Sequence, residues 1–357
     1  MQVLIISTNR NIHPAPVIPY GACIVAEAAA REGHLVSFLD LMFQPDHIPA
    51  IEAGLRRGSP DVIGLSVRNL DNNDMQAPVS FVTELMEIIR VTRRISSAPI
   101  VLGGPAVGVI PGPLLDCTQA SFAILGDGEV AFPALLRAME NGNRLHEVPR
   151  LGWLENGRYR VSTNGPCELS HFAMMPPFER WLNLKAYRSA NATIPIQSKR
   201  GCPFPCIYCT YSISEGREYR LAPPEEVAQA LLHLSSQGYR DIEFVDNVFN
   251  APYDHALAIC DRLAQTRHKL RLITVELNPA FVDRSLLKAM ENAGFVGVGV
   301  TAESAADAAL AGLRKGYTRA EVEKAAAAVR GKIPGMIVIS NRKEIVIKFS
   351  RNIRDPY

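Results

Sequence analysis

No apolar run in this 357-residue sequence is long enough to cross a bilayer, so no membrane-spanning helix is expected. A charge excess is missing too. Lys and Arg number 38 against 36 Asp and Glu, and the formal net charge of +2 gives no reason to expect a nucleic-acid or acidic-membrane partner. The amino-terminal stretch MQVLIISTNR lacks the shape of a signal peptide, because polar Ser7, Thr8, Asn9 and Arg10 follow a short apolar run at once. It reads as a buried first strand of a cytoplasmic protein. A paired-cysteine framework is likewise lacking. The seven cysteines are odd in number and three fall within eight residues, which suggests metal binding rather than disulfides. No solenoid-type repeat is visible.

What is present is alternation. Apolar strands are expected at Val3–Ser7, Leu35–Asp40, Asp61–Val67, Pro99–Gly104 and Phe122–Gly126. Between them lie amphipathic helices at Tyr20–Glu32, Ile48–Arg56 and Val79–Arg94 and a weak turn near Pro113–Cys117, and Val130–Asn141 follows the last strand. Continuous apolar strands separated by helices imply an α/β, doubly wound parallel sheet over residues 1–141. The segment 142–192 reads as a hairpin, Arg150–Val161 with Asn156-Gly157 at its turn, followed by a Pro-rich linker containing Met174-Met175-Pro176-Pro177. A second block over 193–330 carries strands at Ile194–Ser198, Asp241–Asp246, Leu270–Glu276 and Phe295–Thr301. Its helices are Pro224–Gln237, Tyr253–Gln265, Arg284–Asn292 and Arg319–Val329, the period of a TIM-like (β/α) barrel, complete or partial. From Gly331 to Tyr357 the composition shifts to Ile, Lys, Arg and Asn. One or two short strands, a sequence unrelated to the fold before it, and a truncated or frameshifted end are all compatible with that tail.

The chemistry centres on Gly201-Cys-Pro-Phe-Pro-Cys-Ile-Tyr-Cys209, a Cys-x3-Cys-x2-Cys arrangement. Thiolates are the soft ligands that iron in Fe–S clusters prefers, and Pro203, Pro205 and Gly201 favour a turn over a helix. Three ligands leave one iron of a four-iron cluster open to a small molecule. The competing reading is zinc. It needs a fourth ligand that the segment does not contain, with Cys167 and His171 the nearest candidates. The isolated Cys23, Cys117, Cys167 and Cys260 read as small apolar residues.

Cys202, Cys206 and Cys209, with the aromatic Tyr208 before the last cysteine and a barrel-type strand before the loop, resemble the signature of radical S-adenosylmethionine (SAM) enzymes. The resemblance implies a [4Fe–4S] cluster whose open iron is chelated by SAM. Reductive cleavage to a 5′-deoxyadenosyl radical then follows, with the protein orienting the reactants and excluding water and oxygen. It also implies ligand roles at strand ends. Asp246 and Asn247 are candidates to position the amino group of SAM, against the alternative that Asp246 and Asn250 cap the next helix. Glu276 and Glu303 are carboxylates at the ends of barrel strands, and Glu303-Ser304 resembles the family's Gly-x-Glu-Ser element. Lys315 matches a basic position common in the family and is equally readable as a solvated helix-end charge.

The order Pro19-Tyr20-Gly21, Gly33-His34, Leu102-Gly103-Gly104-Pro105 and Gly126-Asp127-Gly128-Glu129, ahead of the cysteine loop, resembles cobalamin-binding members of that family. The resemblance implies an N-terminal Rossmann-like, cobalamin-binding domain before a partial radical SAM barrel. Gly103, Gly104 and Gly126 would then border the corrin. The Asp-x-His-x-x-Gly cobalt-binding pattern of cobalamin mutases is absent, as it is from many relatives, and His13 is a weakly supported substitute for its histidine. A domain that keeps the fold without the corrin is the alternative. The implied activity is methyl transfer from methylcobalamin to an unactivated carbon or phosphorus of a small-molecule substrate, with a flavodoxin or ferredoxin as electron donor. Ring closure or rearrangement without cobalamin is the second reading. A non-catalytic binding protein is the third, since only four of six barrel strands are recognisable; a partner chain could cover the open barrel.

Overall fold

The computed structural model describes the chain except for residues 14, 73, 75, 143–144, 163–171, 331–336 and 341–357, with 337–340 described as backbone only. It divides into two compact units, Met1–Ala192 and Thr193–Tyr357.

In the first unit the strands are β1 (Gln2–Ser7), β2 (Leu35–Asp40), β3 (Val62–Ser66), β4 (Ile100–Gly103), β5 (Phe122–Ile124), β6 (Leu151–Glu155) and β7 (Arg158–Val161). The helices are α1 (Tyr20–Arg31), α2 (His47–Gly58), α3 (Val82–Ile95), α4 (Pro105–Val109), α5 (Pro111–Thr118), α6 (Gly128–Glu140), α7 (Phe178–Trp181) and α8 (Leu184–Ser189). The sheet order is β2-β1-β3-β4-β5-β6-β7, with β1 to β5 parallel and β6 and β7 antiparallel. The central strands β1, β3 and β4 are apolar and buried because both faces of the sheet are covered. Leu4, Ile6, Ile63, Leu65 and Leu102 pack with Ile51, Leu55, Leu85 and Ile88 of α2 and α3. The alternate residues Val3, Ile5, Val62, Val101 and Ile124 pack with Ala22, Ala26, Phe132 and Leu135 of α1 and α6. The chain runs from β1 to β2 on one side and returns to β3 on the other, so the topological switch point lies between β1 and β3, at their carboxyl ends.

The hairpin forms around Asn156-Gly157, both at positive φ (50° and 72°), as expected. Gly152 and Leu151 pair with Ala123 and Ile124, which makes β6 and β7 the last two strands of the first sheet. The first compact unit therefore takes in 142–192, and the second begins at Thr193, where the barrel was expected to start. The single turn expected near Pro113–Cys117 is two helices, α4 and α5, because Pro105 and Pro111 each occupy a first helical position, where a missing N–H costs nothing.

Helix α8 is tied to the sheet by Tyr187, whose hydroxyl donates to Asp40 Oδ2 at 2.7 Å. Burial raises the pKa of Asp40 above the ordinary carboxylate range, and hydrogen bonds from Tyr187, Met42 and Ser7 offset part of that rise. Between the ordinary and the raised value the folded state holds the proton more tightly than the unfolded chain. The free energy of unfolding therefore falls as pH rises through that window and levels off above it. Asp40→Asn is expected to flatten this slope in urea titrations run from about pH 4 upward. A slope identical to that of the parent protein contradicts the assignment.

The second unit begins with β8 (Ile194–Ile196) and β9 (Lys199–Arg200), then α9 (Tyr211–Ser214), β10 (Arg220–Leu221), α10 (Pro224–Ser236), β11 (Asp241–Phe244) and α11 (Tyr253–Ala264). It continues with β12 (Arg271–Leu277), α12 (Arg284–Asn292), β13 (Phe295–Glu303), α13 (Asp307–Gly312), α14 (Arg319–Val329) and β14 (Ile337–Ser340). The parallel sheet order is β14-β13-β12-β11-β8, the succession of an open (β/α) barrel. The tail supplies its fifth strand, one more than the four read from sequence; the rest of the tail lies outside the described residues. The strand expected over Ile194–Ser198 stops at Ile196, and the chain turns into β9, which pairs antiparallel with β10. That small ribbon closes the base of the loop carrying the three cysteines. Stacked Phe244 and Phe295, with Phe249 tilted against both, fill the space under β11 and β13.

Candidate functional site

The cysteine loop starts at Gly201, with φ of +84°. A Cβ there would stand 1.9 Å from the Glu218 carbonyl oxygen, so the two ends of the loop meet backbone to backbone. Cys202 N–H donates to the Gly216 carbonyl at 3.0 Å and Cys209 N–H to that of Cys206 at 3.3 Å. Cys202 is buried, and Cys206 and Cys209 are half-buried. Burial, then the charges of the other two cysteines and of Glu215, raise the pKa of Cys202. Burial also raises that of Cys209, with Cys206 and Glu276 adding to it. Crowded thiols of this kind keep their protons until a cationic centre takes their place, which is the donor chemistry an iron cluster fits. Among the described residues, no three His, Cys, Asp or Glu side chains gather as ligands of a single metal ion. Cys167 and His171, the candidates for a fourth zinc ligand, lie outside the described residues.

Two carboxylates brace the loop, one at the β11 end and one inside the loop itself. Asp246 accepts from Ser198 N–H at 2.7 Å, Ser198 Oγ at 2.6 Å, Lys199 N–H at 3.2 Å and Lys199 Nζ at 3.3 Å. Lys199 Nζ also donates to the Phe249 carbonyl at 2.8 Å. Both side chains are essentially inaccessible, at 1% for Lys199 and 0% for Asp246. Asp246 is therefore not a ligand-facing acceptor, as the sequence reading had it. Its oxygens hold the strand that leads into the cysteines. Nor does it cap α11, whose N-cap is Pro252; Asn250 instead forms a two-bond bracket with Asn278. The second brace, Glu215, accepts from Gly201 N–H at 3.1 Å, Asn247 Nδ2 at 2.7 Å and Gln197 Nε2 at 3.3 Å. Neither Lys199 nor Glu215 was legible in the sequence. Each acts on residues far along the chain, and neither belongs to a local motif.

The other side of the loop is fastened to the β13 end. Tyr208 donates its hydroxyl to Glu303, and Lys315 Nζ donates to the Tyr208 oxygen at 2.8 Å and to Glu303 Oε1 at 3.3 Å. Glu303 has a φ of +55°, a strained conformation for a residue with a side chain and one that clusters at functional sites. Glu276, on the neighbouring strand, accepts from Thr301 Oγ1 at 2.8 Å, and burial raises its pKa. The structure thus gathers Tyr208, Glu303 and Lys315 into one contact and puts Glu276 beside it through Thr301. Lys315 is not a solvated helix-end charge.

Residues 13–136 match the B12 binding domain model, and residues 196–342 match the Radical SAM superfamily model. The chain belongs to the B12-binding radical SAM family.

Relatives of this family share most of the chain. An uncharacterized methyltransferase of Pyrococcus horikoshii is 25% identical over 84% of this chain and 64% of its own length. The tryptophan 2-C-methyltransferase of Streptomyces laurentii is 24% identical over 84% of this chain and 59% of its own. Among solved structures, the radical SAM methyltransferase TsrM of Kitasatospora setae, with tryptophan and a SAM analogue bound, superposes with a TM-score of 0.84 at 26% identity, covering 94% of this chain and 66% of that one. TsrM has also been solved with cobalamin and a [4Fe–4S] cluster bound, with a TM-score of 0.83 at 24% identity and the same coverage. The chain spans about three fifths to two thirds of the length of these relatives.

In the B12-binding unit, Gly103 ends β4, Gly104 caps α4 directly after it, and Gly126 follows β5, at the carboxyl side of the sheet. A Cβ at Gly103 would meet nothing within 4 Å, so this glycine leaves open space. Gly104, at φ +101°, has an internal reason to be bare: a Cβ there would stand 2.5 Å from the Val67 carbonyl oxygen. At the end of β1, Asn9 Nδ2 is buried with no hydrogen-bond partner among the described residues. An unmatched buried donor at the same carboxyl side of the sheet as the open Gly103 backbone fits a large ligand with amide side chains, such as a corrin. His13 is exposed, and its amide closes a turn on Asn11.

Proposed function

We propose that this chain is the cofactor-bearing part of a cobalamin-dependent radical SAM methyltransferase acting on a small molecule. The observation that carries the reading is the braced Cys202–Cys206–Cys209 loop at the mouth of an open (β/α) barrel, preceded in the chain by a doubly wound unit of B12-binding type. When bound, the cluster would supply the electron that splits SAM into methionine and a 5′-deoxyadenosyl radical, and cobalamin would carry the methyl group.

The residues of the chain supply the rest. Cys202, Cys206 and Cys209 hold the cluster and leave one iron for SAM. Asp246 and Glu215 set the loop through its backbone N–H groups. Asn247, Glu276 and Glu303 offer acceptor oxygens for the ammonium and the ribose hydroxyls of SAM. Lys315 balances the charge of Glu303 and holds the Tyr208 hydroxyl. Gly103 and Gly126 border the corrin. The names of the relatives support a carbon centre as methyl acceptor. A small reducing protein such as a flavodoxin or ferredoxin would deliver the electron in a cytoplasmic setting, and among the described residues no helix is long and apolar enough to cross a membrane. Ile207, Tyr208, Tyr211 and Ile213 stand 61%, 51%, 45% and 55% exposed around the cysteines, an apolar surface suited to that donor or to a chain covering the barrel.

Purified anaerobically, reconstituted with iron and sulfide and reduced, the protein is expected to release 5′-deoxyadenosine from SAM. Cys206→Ala is expected to reduce this release at least a hundredfold. Dependence on added cobalamin supports methyl transfer, and cobalamin-independent release supports the ring-closure or rearrangement reading. An intact cluster with no deoxyadenosine refutes the enzyme reading and leaves a binding protein.

A further inference from the structure

Near Cys202 lies a hydrogen-bond donor that no described residue uses. Tyr219 is half-buried, and its hydroxyl is fully shielded from solvent, with no hydrogen-bond partner among the described residues. The ribbon at the base of the cysteine loop brings it there. Arg220 and Leu221 pair with Arg200 and Lys199, and the Gly201 backbone lies against the carbonyl of Glu218, the residue just before Tyr219. Cys202 N–H in turn reaches the Gly216 carbonyl. Tyr219 therefore leaves the ribbon next to the first cysteine, and burial first, then the neighbouring Cys202, holds the proton on its hydroxyl. A buried, unmatched phenol is rare because losing its hydration without a new acceptor is costly. A tyrosine hydroxyl stays protonated at neutral pH and can donate one hydrogen bond.

We propose that Tyr219 donates its hydroxyl to the cluster through the Cys202 sulfur and thereby tunes the cluster's reduction potential. The inference rests on the reading that the three cysteines hold a [4Fe–4S] cluster. A donor aimed at a cluster thiolate stabilises the reduced, more negative state, so the bond raises the potential and eases reduction by a weak donor. Tyr219 is a positioning and tuning residue; it need not touch SAM or the substrate. The neighbouring tyrosines act differently. Tyr208 spends its hydroxyl on Glu303, and Tyr317 donates to the Thr301 carbonyl at 2.8 Å.

The test compares the reconstituted full chain with Tyr219→Phe, which removes one oxygen and keeps the ring, and uses Tyr253→Phe as a distant control on α11. Three quantities are read: iron and sulfide content, the midpoint potential of the 2+/1+ couple by dye-mediated titration with dithionite, and the Fe–S stretching bands in resonance Raman in H2O and D2O. Tyr219→Phe is expected to keep its cluster and lose about tenfold in the ratio of reduced to oxidised cluster at a fixed potential, a drop of about 59 mV for one electron. It is also expected to lose a deuterium-sensitive shift that the parent and Tyr253→Phe retain. Equal potentials and equal deuterium shifts, with clusters in all three proteins, overturn the inference and leave the cluster reading standing. A Tyr219→Phe protein that melts normally but takes up no cluster also overturns it, since one hydrogen bond tunes a cluster held by three thiolates and does not retain it. A parent protein that binds no cluster refutes both.

Discussion

Asp246→Ala is expected to destabilise the protein by about 3–5 kcal/mol, the usual cost of leaving a buried charge without its partner. Lys199 is almost wholly enclosed, and burial lowers its pKa while Asp246 raises it again. With Asp246 removed, the ammonium keeps only the Phe249 carbonyl and ring, and Ser198 N–H and Lys199 N–H lose their acceptor. The stretch that loosens is the one leading into Cys202, so cluster content should fall along with stability. The double replacement Lys199→Met with Asp246→Asn removes both charges and keeps an acceptor for the Ser198 amide. It is expected to recover more than half of the loss. Chemical denaturation followed by far-ultraviolet circular dichroism measures both proteins. A double variant no more stable than Asp246→Ala would show that the loss came from the missing carboxylate contacts and not from the stranded lysine.

Gly201→Ala is expected to lower iron incorporation more than tenfold. The added Cβ meets a backbone oxygen at 1.9 Å, which no side-chain rotation relieves, and the residue sits at φ +84°, where L side chains are strained by about 1–2 kcal/mol. Gly216 separates the two effects. It lies in the same loop at φ +90°, but a Cβ there would meet nothing within 4 Å. Gly216→Ala therefore carries the strain without the collision and is expected to keep most of its iron. Iron per chain after identical reconstitution decides. Equal iron in Gly201→Ala and the parent would mean that the loop does not need its ends to touch.

Most of the layered architecture was legible because buried parallel strands are written as continuous apolar runs and their covering helices carry an apolar stripe. Val3–Ile6, Val62–Leu65 and Ile100–Leu102 are buried almost completely, and their helices follow at the spacing a crossover needs. The hairpin was legible at its Asn156-Gly157 turn, but its place at the sheet edge was not, since antiparallel pairing with β5 leaves no mark in the pattern of either segment. The two-residue ribbon of β9 and β10 was invisible for the same reason and because it is too short to show a period.

The site divides along the same line. Cys202, Cys206 and Cys209 read as ligands from residue type and local spacing, because they lie close together along the chain. Tyr208, Glu303 and Lys315 were each recognisable, but not as one contact: Tyr208 and Lys315 are 107 residues apart in sequence. Asp246 was read either as facing the ligand or as capping the next helix, whereas the turn after Ile196 swings Ser198 and Lys199 onto both of its oxygens. Glu215, Lys199 and Tyr219 carry no local signature at all. By itself the sequence determined the main strands and their covering helices and which atoms can bind iron, because periodicity and thiol chemistry act over a few residues. Which carboxylate braces the loop, which faces the ligand, and which hydroxyl is left with a bond to give were decided only by the tertiary structure, where hydrogen bonds and burial join residues that the chain keeps far apart.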